Sequence, residues 1–209
     1  MSETLSFVHR FEKGVDDNAR PLLLLHGTGG DENDLVPLGR MVAPNASLLS
    51  PRGKVLENGM PRFFRRLAEG AFDEDDVRQR AFELADFVAE ARARYGISTP
   101  IALGYSNGAN VAAAMLLLRP ESLDGAILLR AMAPLSQAPA VDLTGKPVLI
   151  ASGVSDPIIA PETAARLASL LQQRGSIVEH RTLPAGHELS QADVGLVRAW
   201  LHANAMPGV

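Results

Sequence analysis

The chain has 209 residues, 46% hydrophobic and 21% charged, with a formal net charge of −4, the balance of an ordinary soluble globular protein. Mild acidity argues against a nucleic-acid or anionic-membrane surface, which needs clustered Lys and Arg. The absence of cysteine excludes disulfides, a thiolate nucleophile and Cys-ligated metals together. The longest apolar run, Val111–Leu118, falls far short of the roughly 20 residues that cross a bilayer. The start, Met1-Ser-Glu-Thr-Leu-Ser-Phe7, has neither the basic stretch nor the apolar core of an export signal. A cytoplasmic protein without stable membrane insertion is expected.

In chain order, Leu5–Phe11 alternates as a strand does, and Pro21–Leu25 is a continuous apolar run, as for a strand buried on both faces. Ala46–Ser50 repeats that pattern, then Pro51–Phe72 has no clear period. Asp75–Tyr95 reads as a helix, with Val77, Ala81, Leu84, Val88, Ala91 and Tyr95 on one face. It opens on Asp73-Glu-Asp-Asp76 and closes on Arg92, Arg94 and Gly96, in keeping with the macrodipole and a glycine stop. The acidic run is read as a solvated helix N-terminus and not as a metal site. Strand Pro100–Tyr105 and helix Asn107–Leu118 follow, then strand Gly125–Leu129 and the irregular Ala131–Lys146. Strand Pro147–Ser152, helix Pro161–Arg174, strand Ile177–Leu183 and helix Gln191–Asn204 complete the chain. Short strands alternating with longer helices predict an α/β fold: a mostly parallel sheet of about seven strands with crossover helices on both faces. No linker or repeat is visible, so residues 1–209 read as one domain. The two irregular stretches become candidate pocket walls, because loops on a rigid scaffold tend to carry specificity.

Gly104-Tyr-Ser106-Asn-Gly108 matches the G-x-S-x-G elbow of α/β-hydrolases. Among 18 glycines the pattern alone is modest, but here a strand ends at Tyr105 and a helix begins directly after the serine. So tight a turn strains the serine backbone and leaves no room for side chains two residues either side. Ser106 is the expected nucleophile. A serine hydroxyl needs an imidazole to take its proton and a carboxylate to orient that imidazole. In this fold they follow in the order nucleophile, acid, base. Of five histidines, that order removes His9 and His26. His180 lies mid-strand and His202 in the last helix, whereas His187 sits in a loop directly after the last strand and is the expected base. Asp156, in Ser155-Asp156-Pro157 just beyond a strand end, is the expected acid. Asp124 and Asp142 precede strands at the opposite sheet end, and Asp193 falls in the first turn of the last helix.

Acyl transfer also needs two N–H groups aimed at the developing oxyanion. The backbone amide of Asn107 and that of Thr28, in His26-Gly-Thr-Gly-Gly-Asp31, are the expected donors. The glycine loop lacks the lysine of a phosphate loop, and Glu32 stands where a dinucleotide fingerprint needs glycine. His26 comes too early to be the base and is expected to hold the loop. Phe63 and Phe64, in Arg62-Phe-Phe-Arg65, either wall an acyl or aryl pocket or anchor a long loop to the core. Arg130 and Met132 either reach substrate or, for Arg130, pin a loop.

His26-Gly-Thr-Gly-Gly-Asp-Glu32, Ser50-Pro-Arg-Gly53, the Ser106 elbow, Gly153-Val-Ser-Asp156 and Ala185-Gly-His-Glu188 stand in one order along the chain. From about Leu5 to Leu201 this set resembles the small phospholipase/carboxylesterase family of α/β-hydrolases. Thr28 and Asn107 differ from the Leu and Gln typical of the eukaryotic acyl-protein thioesterases, so the likeness leans to the bacterial carboxylesterase branch. The resemblance implies a compact sheet without a large lid domain, a shallow accessible site and, often, a homodimer. The expected function is carboxylic-ester hydrolysis of a small molecule through an acyl-enzyme, with no metal or organic cofactor. Thioesterase or lysophospholipase activity is the alternative within the class. A hydrolase-fold binding protein with slow turnover is the alternative outside it.

Overall fold

The structure, a computed structural model, describes residues 5–204. Seven strands form one sheet: β1 (His9–Glu12), β2 (Leu22–Leu25), β3 (Leu48–Pro51), β8 (Ile101–Tyr105), β9 (Gly125–Leu129), β10 (Pro147–Gly153) and β11 (Ile177–Leu183). Their order is β1-β3-β2-β8-β9-β10-β11, with β1 antiparallel to β3 and every other pair parallel. Four further short strands, β4 (Val55–Glu57), β5 (Met60–Arg62), β6 (Arg66–Ala68) and β7 (Ala71–Phe72), pair as two antiparallel hairpins. The helices are α1 (Val36–Val42), α2 (Glu74–Tyr95), α3 (Asn107–Leu118), α4 (Pro161–Gln173) and α5 (Gln191–Asn204).

The continuous apolar strands are explained by the layers. Leu23 and Leu25 of β2 enter the core cluster under α2, α3 and α4, while Leu22 and Leu24 enter the cluster under α1 and α5. Leu128 and Leu129 of β9 divide in the same way. A side-chain period of two therefore serves two cores at once. Helix α3 lies almost wholly buried and packs against α2. The ends of α2 follow the sequence reading: the Asp73 side chain accepts from the Asp76 amide, and Gly96 closes the helix at φ 66°.

Three points differ from the sequence reading. The alternation over Leu5–Phe11 yields only β1, starting at His9. Helix α1 lies in a stretch that shows no helical period, because seven residues containing Pro37 and Gly39 are too few to display one. Pro51–Phe72 is not irregular but folds as the two hairpins, laid beside the carboxyl ends of the parallel strands. No helix among the described residues is long and apolar enough to cross a membrane.

Candidate active site

Between β8 and α3 stands one residue, Ser106, at φ 52° and ψ −112°. That left-handed backbone is strained for a residue with a side chain, and its surroundings hold it. The Ser106 amide donates to the Leu129 carbonyl at 2.8 Å, and its carbonyl accepts from the Asn110 amide at 3.0 Å. A Cβ at Gly104 would collide with the Ala109 backbone, and one at Gly108 with the Leu25 carbonyl. Both glycines of the motif are thus needed for close approach.

The structure brings the other two predicted side chains to this serine. His187 Nε2 lies 3.0 Å from Ser106 Oγ, and His187 Nδ1 lies 2.9 Å from Asp156 Oδ2. Asp156 follows the end of β10, where its Oδ1 accepts from the amides of Ile158 at 2.8 Å and Ile159 at 2.9 Å. Burial alone would raise the Asp156 carboxyl. Those amides and the His187 ring outweigh it and hold the group below its ordinary value. The Nδ1–H of the imidazole then faces a carboxylate, which leaves Nε2 as acceptor toward the serine hydroxyl.

What fixes the His187 loop is Arg130. Its side chain and that of Asp193 are 0% and 1% exposed and meet at 2.8 Å. Arg130 also donates to the carbonyls of Gly186 at 2.8 Å and Glu188 at 3.2 Å, the residues on either side of His187. Asp193 further accepts from the Ser190 amide and hydroxyl, each at 2.8 Å. Burial would raise the Asp193 carboxyl, but Arg130 and Ser190 outweigh it and lower it. The Tyr105 hydroxyl donates to the His187 carbonyl at 3.2 Å. Gly153 completes the fit, since a Cβ there would strike the carbonyls of Ala185 and Gly186.

On the other side of Ser106, the amides of Thr28 and Asn107 have no hydrogen-bond partner among the described residues, and both residues line the cavity at the serine. Three successive residues position them. The Pro61 carbonyl accepts from the Gly29 amide at 2.9 Å, and Arg62 Nη1 donates to Thr28 Oγ1 at 2.7 Å. The Phe63 amide donates to Asn107 Oδ1 at 2.7 Å. As expected, His26 holds the loop: its Nδ1–H donates to the Gly27 carbonyl at 2.6 Å, and its Nε2 accepts from the Gly53 amide at 3.0 Å. Burial pushes the His26 imidazole below its ordinary value, against the Gly27 carbonyl and the nearby Asp34, Asp31 and Glu32, so the ring is neutral at pH 7.

The cavity above Ser106 has a volume of about 350 Å³. Phe72, Met132, Ile158 and Ile159 supply its apolar wall, and Arg62 and Arg66 its cationic one. Met132 is where the sequence suggested. Phe63 and Phe64 are not lining residues. Both are buried in the core, Phe63 against His26 with ring centroids 4.7 Å apart and Phe64 edge-on to Phe72 at 5.0 Å. The amides of Phe63 and Arg65 are drawn to Asn107 and Asp76, which turns this stretch inward. Arg130 is likewise absent from the lining, because all its contacts go to the His187 loop, Ala151 and Asp193. Sequence reading missed Arg62, Arg66 and Ile158–Ile159. Only the spacing of Ile158 and Ile159 just after Asp156 carried a usable signal. A separate apolar cavity of about 420 Å³ opens at the opposite end of the sheet, between Val42, Ile101 and Leu201, and holds none of these groups.

Sheet order, elbow and loop positions define an α/β-hydrolase. Residues 9–205 match the family model described as Phospholipase/Carboxylesterase. A hydrolase of Bacillus subtilis (strain 168), MhqD, is 46% identical over 194 residues, covering 92% of this chain and 96% of that protein. Among solved structures, a Bacillus cereus carboxylesterase is 44% identical with a TM-score of 0.93, covering 96% of this chain and 95% of its own. A carboxylesterase from Mesorhizobium loti is 36% identical with a TM-score of 0.90, covering 95% of each chain. The chain belongs to the phospholipase/carboxylesterase family of α/β-hydrolases.

Proposed function

We propose that the protein is a serine carboxylesterase that works through an acyl-enzyme, with Ser106 as nucleophile, His187 as base and Asp156 as the group that orients it. The observation that carries this reading is the unbroken Asp156–His187–Ser106 relay at 2.9 and 3.0 Å beside two unpartnered amides. Ser106 Oγ attacks the ester carbonyl carbon while His187 Nε2 takes its proton. The carbonyl oxygen gains the negative charge and receives the Thr28 and Asn107 amides. Collapse expels the alkoxide, which takes the proton from His187, and leaves the acyl group on Ser106. Water then attacks that acyl group with His187 again as base, releasing the acid and the free serine. Every step draws on the chain's own groups.

The relatives named as carboxylesterases support ester over other acyl substrates. The modest cavity favours short acyl groups, since palmitoyl chains need a longer apolar channel. Ser106→Ala should lower turnover of p-nitrophenyl acetate and butyrate by ~10⁴-fold or more, and near-wild-type turnover would overturn the assignment. A panel of acetyl, octanoyl and palmitoyl esters and thioesters separates carboxylesterase from thioesterase or lysophospholipase. A burst followed by negligible steady-state turnover would instead mark a binding protein.

A further inference from the structure

The cationic wall of the cavity has more charge than the reaction above requires. Arg62 at the end of β5 is only 3% exposed, yet it lines the cavity. Its Nε donates to the Phe64 carbonyl and its Nη1 meets Thr28 Oγ1 and, at 3.1 Å, Glu57 Oε2. Among the described residues Nη2 makes no hydrogen bond. Arg66, at the start of β6, bonds among the described residues only through its Nε, which donates to Glu57 Oε1 at 2.9 Å. Two guanidinium groups therefore share one carboxylate, and that carboxylate stands behind the cavity and outside its lining. Among the described residues one carboxylate side chain, Glu69, lines the cavity, from the exposed tip of the β6–β7 hairpin, where water screens it.

A buried guanidinium is costly unless its donors are met by an acceptor, and a planar fork with free Nη groups matches a carboxylate in particular. We propose that Arg62 and Arg66 form an anion subsite, so that the preferred substrates are esters carrying a free carboxylate, such as monoesters of short dicarboxylic acids. The proposal rests on the carboxylesterase reading. The apolar face of Phe72, Met132 and Ile158 takes the intervening methylenes, and the arginine pair takes the terminal charge. The arrangement also ties specificity to catalysis. The same Arg62 that meets the anion holds Thr28, whose amide faces the oxyanion, so a bound carboxylate stiffens that donor.

The test compares matched esters that differ only in the charge. On the acyl side the pair is mono-p-nitrophenyl glutarate against p-nitrophenyl pentanoate, and on the alcohol side O-butyryl glycolate against ethyl butyrate. A charge-assisted contact is worth roughly 10- to 100-fold in kcat/KM, so one anionic member should exceed its neutral partner by that factor. The pair that shows it identifies the end of the substrate that carries the charge. Arg66→Gln should cut the anionic-to-neutral ratio about tenfold by the same arithmetic. Arg66→Lys should restore part of it, and 0.5 M NaCl should lower the ratio in the wild type. Equal or neutral-favouring ratios in both wild-type pairs, with hydrolysis still dependent on Ser106, would overturn the subsite and leave the esterase reading standing. Hydrolysis of both pairs that survives Ser106→Ala would remove that reading and the subsite with it.

Discussion

The two loops that flank Ser106 are held by opposite means. In the proposed reaction the Thr28 loop presents only a backbone amide. It is fixed by several modest contacts from separate elements: His26 to Gly53, Pro61 to Gly29, and Arg62 to the Thr28 hydroxyl. In the same reaction the His187 loop has to present a side chain in one orientation. A single buried post, the Arg130–Asp193 pair, reaches the carbonyls on both sides of the imidazole. Distributed contacts fail gradually, whereas a desolvated charge pair fails at once when either partner is lost.

That contrast can be broken in four places. The largest effect belongs on the base side, where Asp156→Asn should reduce kcat on p-nitrophenyl butyrate by ~10⁴-fold with the melting temperature little changed, because the imidazole loses its tautomer. Next, Arg130→Ala strands the Asp193 charge and should cost about 3–5 kcal/mol, a fall of roughly 10 °C in Tm for a chain of this size. Pairing Arg130→Met with Asp193→Leu should recover much of that loss. A double variant whose losses simply add would show that the two side chains are not one unit. Thr28→Val, on the distributed side, removes one acceptor from Arg62 and should cost about 1–3 kcal/mol with kcat falling less than tenfold, since the amide remains. A loss as large as that of Arg130→Ala would erase the distinction.

The smallest effect separates the loops by pH. Burial lowers the His26 imidazole in the folded state, so between the folded and ordinary values the unfolded chain binds more protons. Stability then rises with pH: the His26 contribution is complete above the ordinary value near 6.5 and is lost as pH falls below it. For one proton the slope is at most about 1.4 kcal/mol per pH unit. His180 is lowered by burial too and acts in the same sense. Melting curves of wild type against His26→Gln from pH 7.5 to 5.5 isolate the first histidine, and identical slopes would refute its part. Asp193 has a lowered carboxyl, so its contribution is held through this window and is lost only as pH falls below the ordinary carboxylate range, near 4.

The sheet was largely legible because β2, β8, β9 and β10 are buried on both faces, and unbroken apolar runs such as Leu22–Leu25 have few other homes. The long helix α2 announces itself by period, cap and glycine stop. That Ser106, His187 and Asp156 should meet was legible because chain order and loop position left few rivals among the histidines and aspartates, and the three side chains do lie together. The cavity wall was not legible in the same way. Arg62, Phe63 and Phe64 are adjacent in sequence, and only the hairpin geometry sends the arginine toward the cavity and both aromatic rings into the core. Arg130 follows strand β9 as a substrate-binding residue would. Its partner lies in α5, and no local pattern joins residues 130 and 193.

Strands β8, β9, β10 and β11 lie side by side in the order in which they are encoded. A ribosome therefore delivers Ser106 first, Arg130 after β9, Asp156 after β10, His187 after β11, and Asp193, the partner of Arg130, only in α5. Domains generally fold as units, so Ser106, Asp156 and His187 meet only after the chain through α5 has been made. A chain cut short before β11 would carry Ser106 without the imidazole proposed to deprotonate it. In the proposed reaction the base is therefore in place only once the last helix packs, and Asp193 with Arg130 holds the loop of His187 over Ser106.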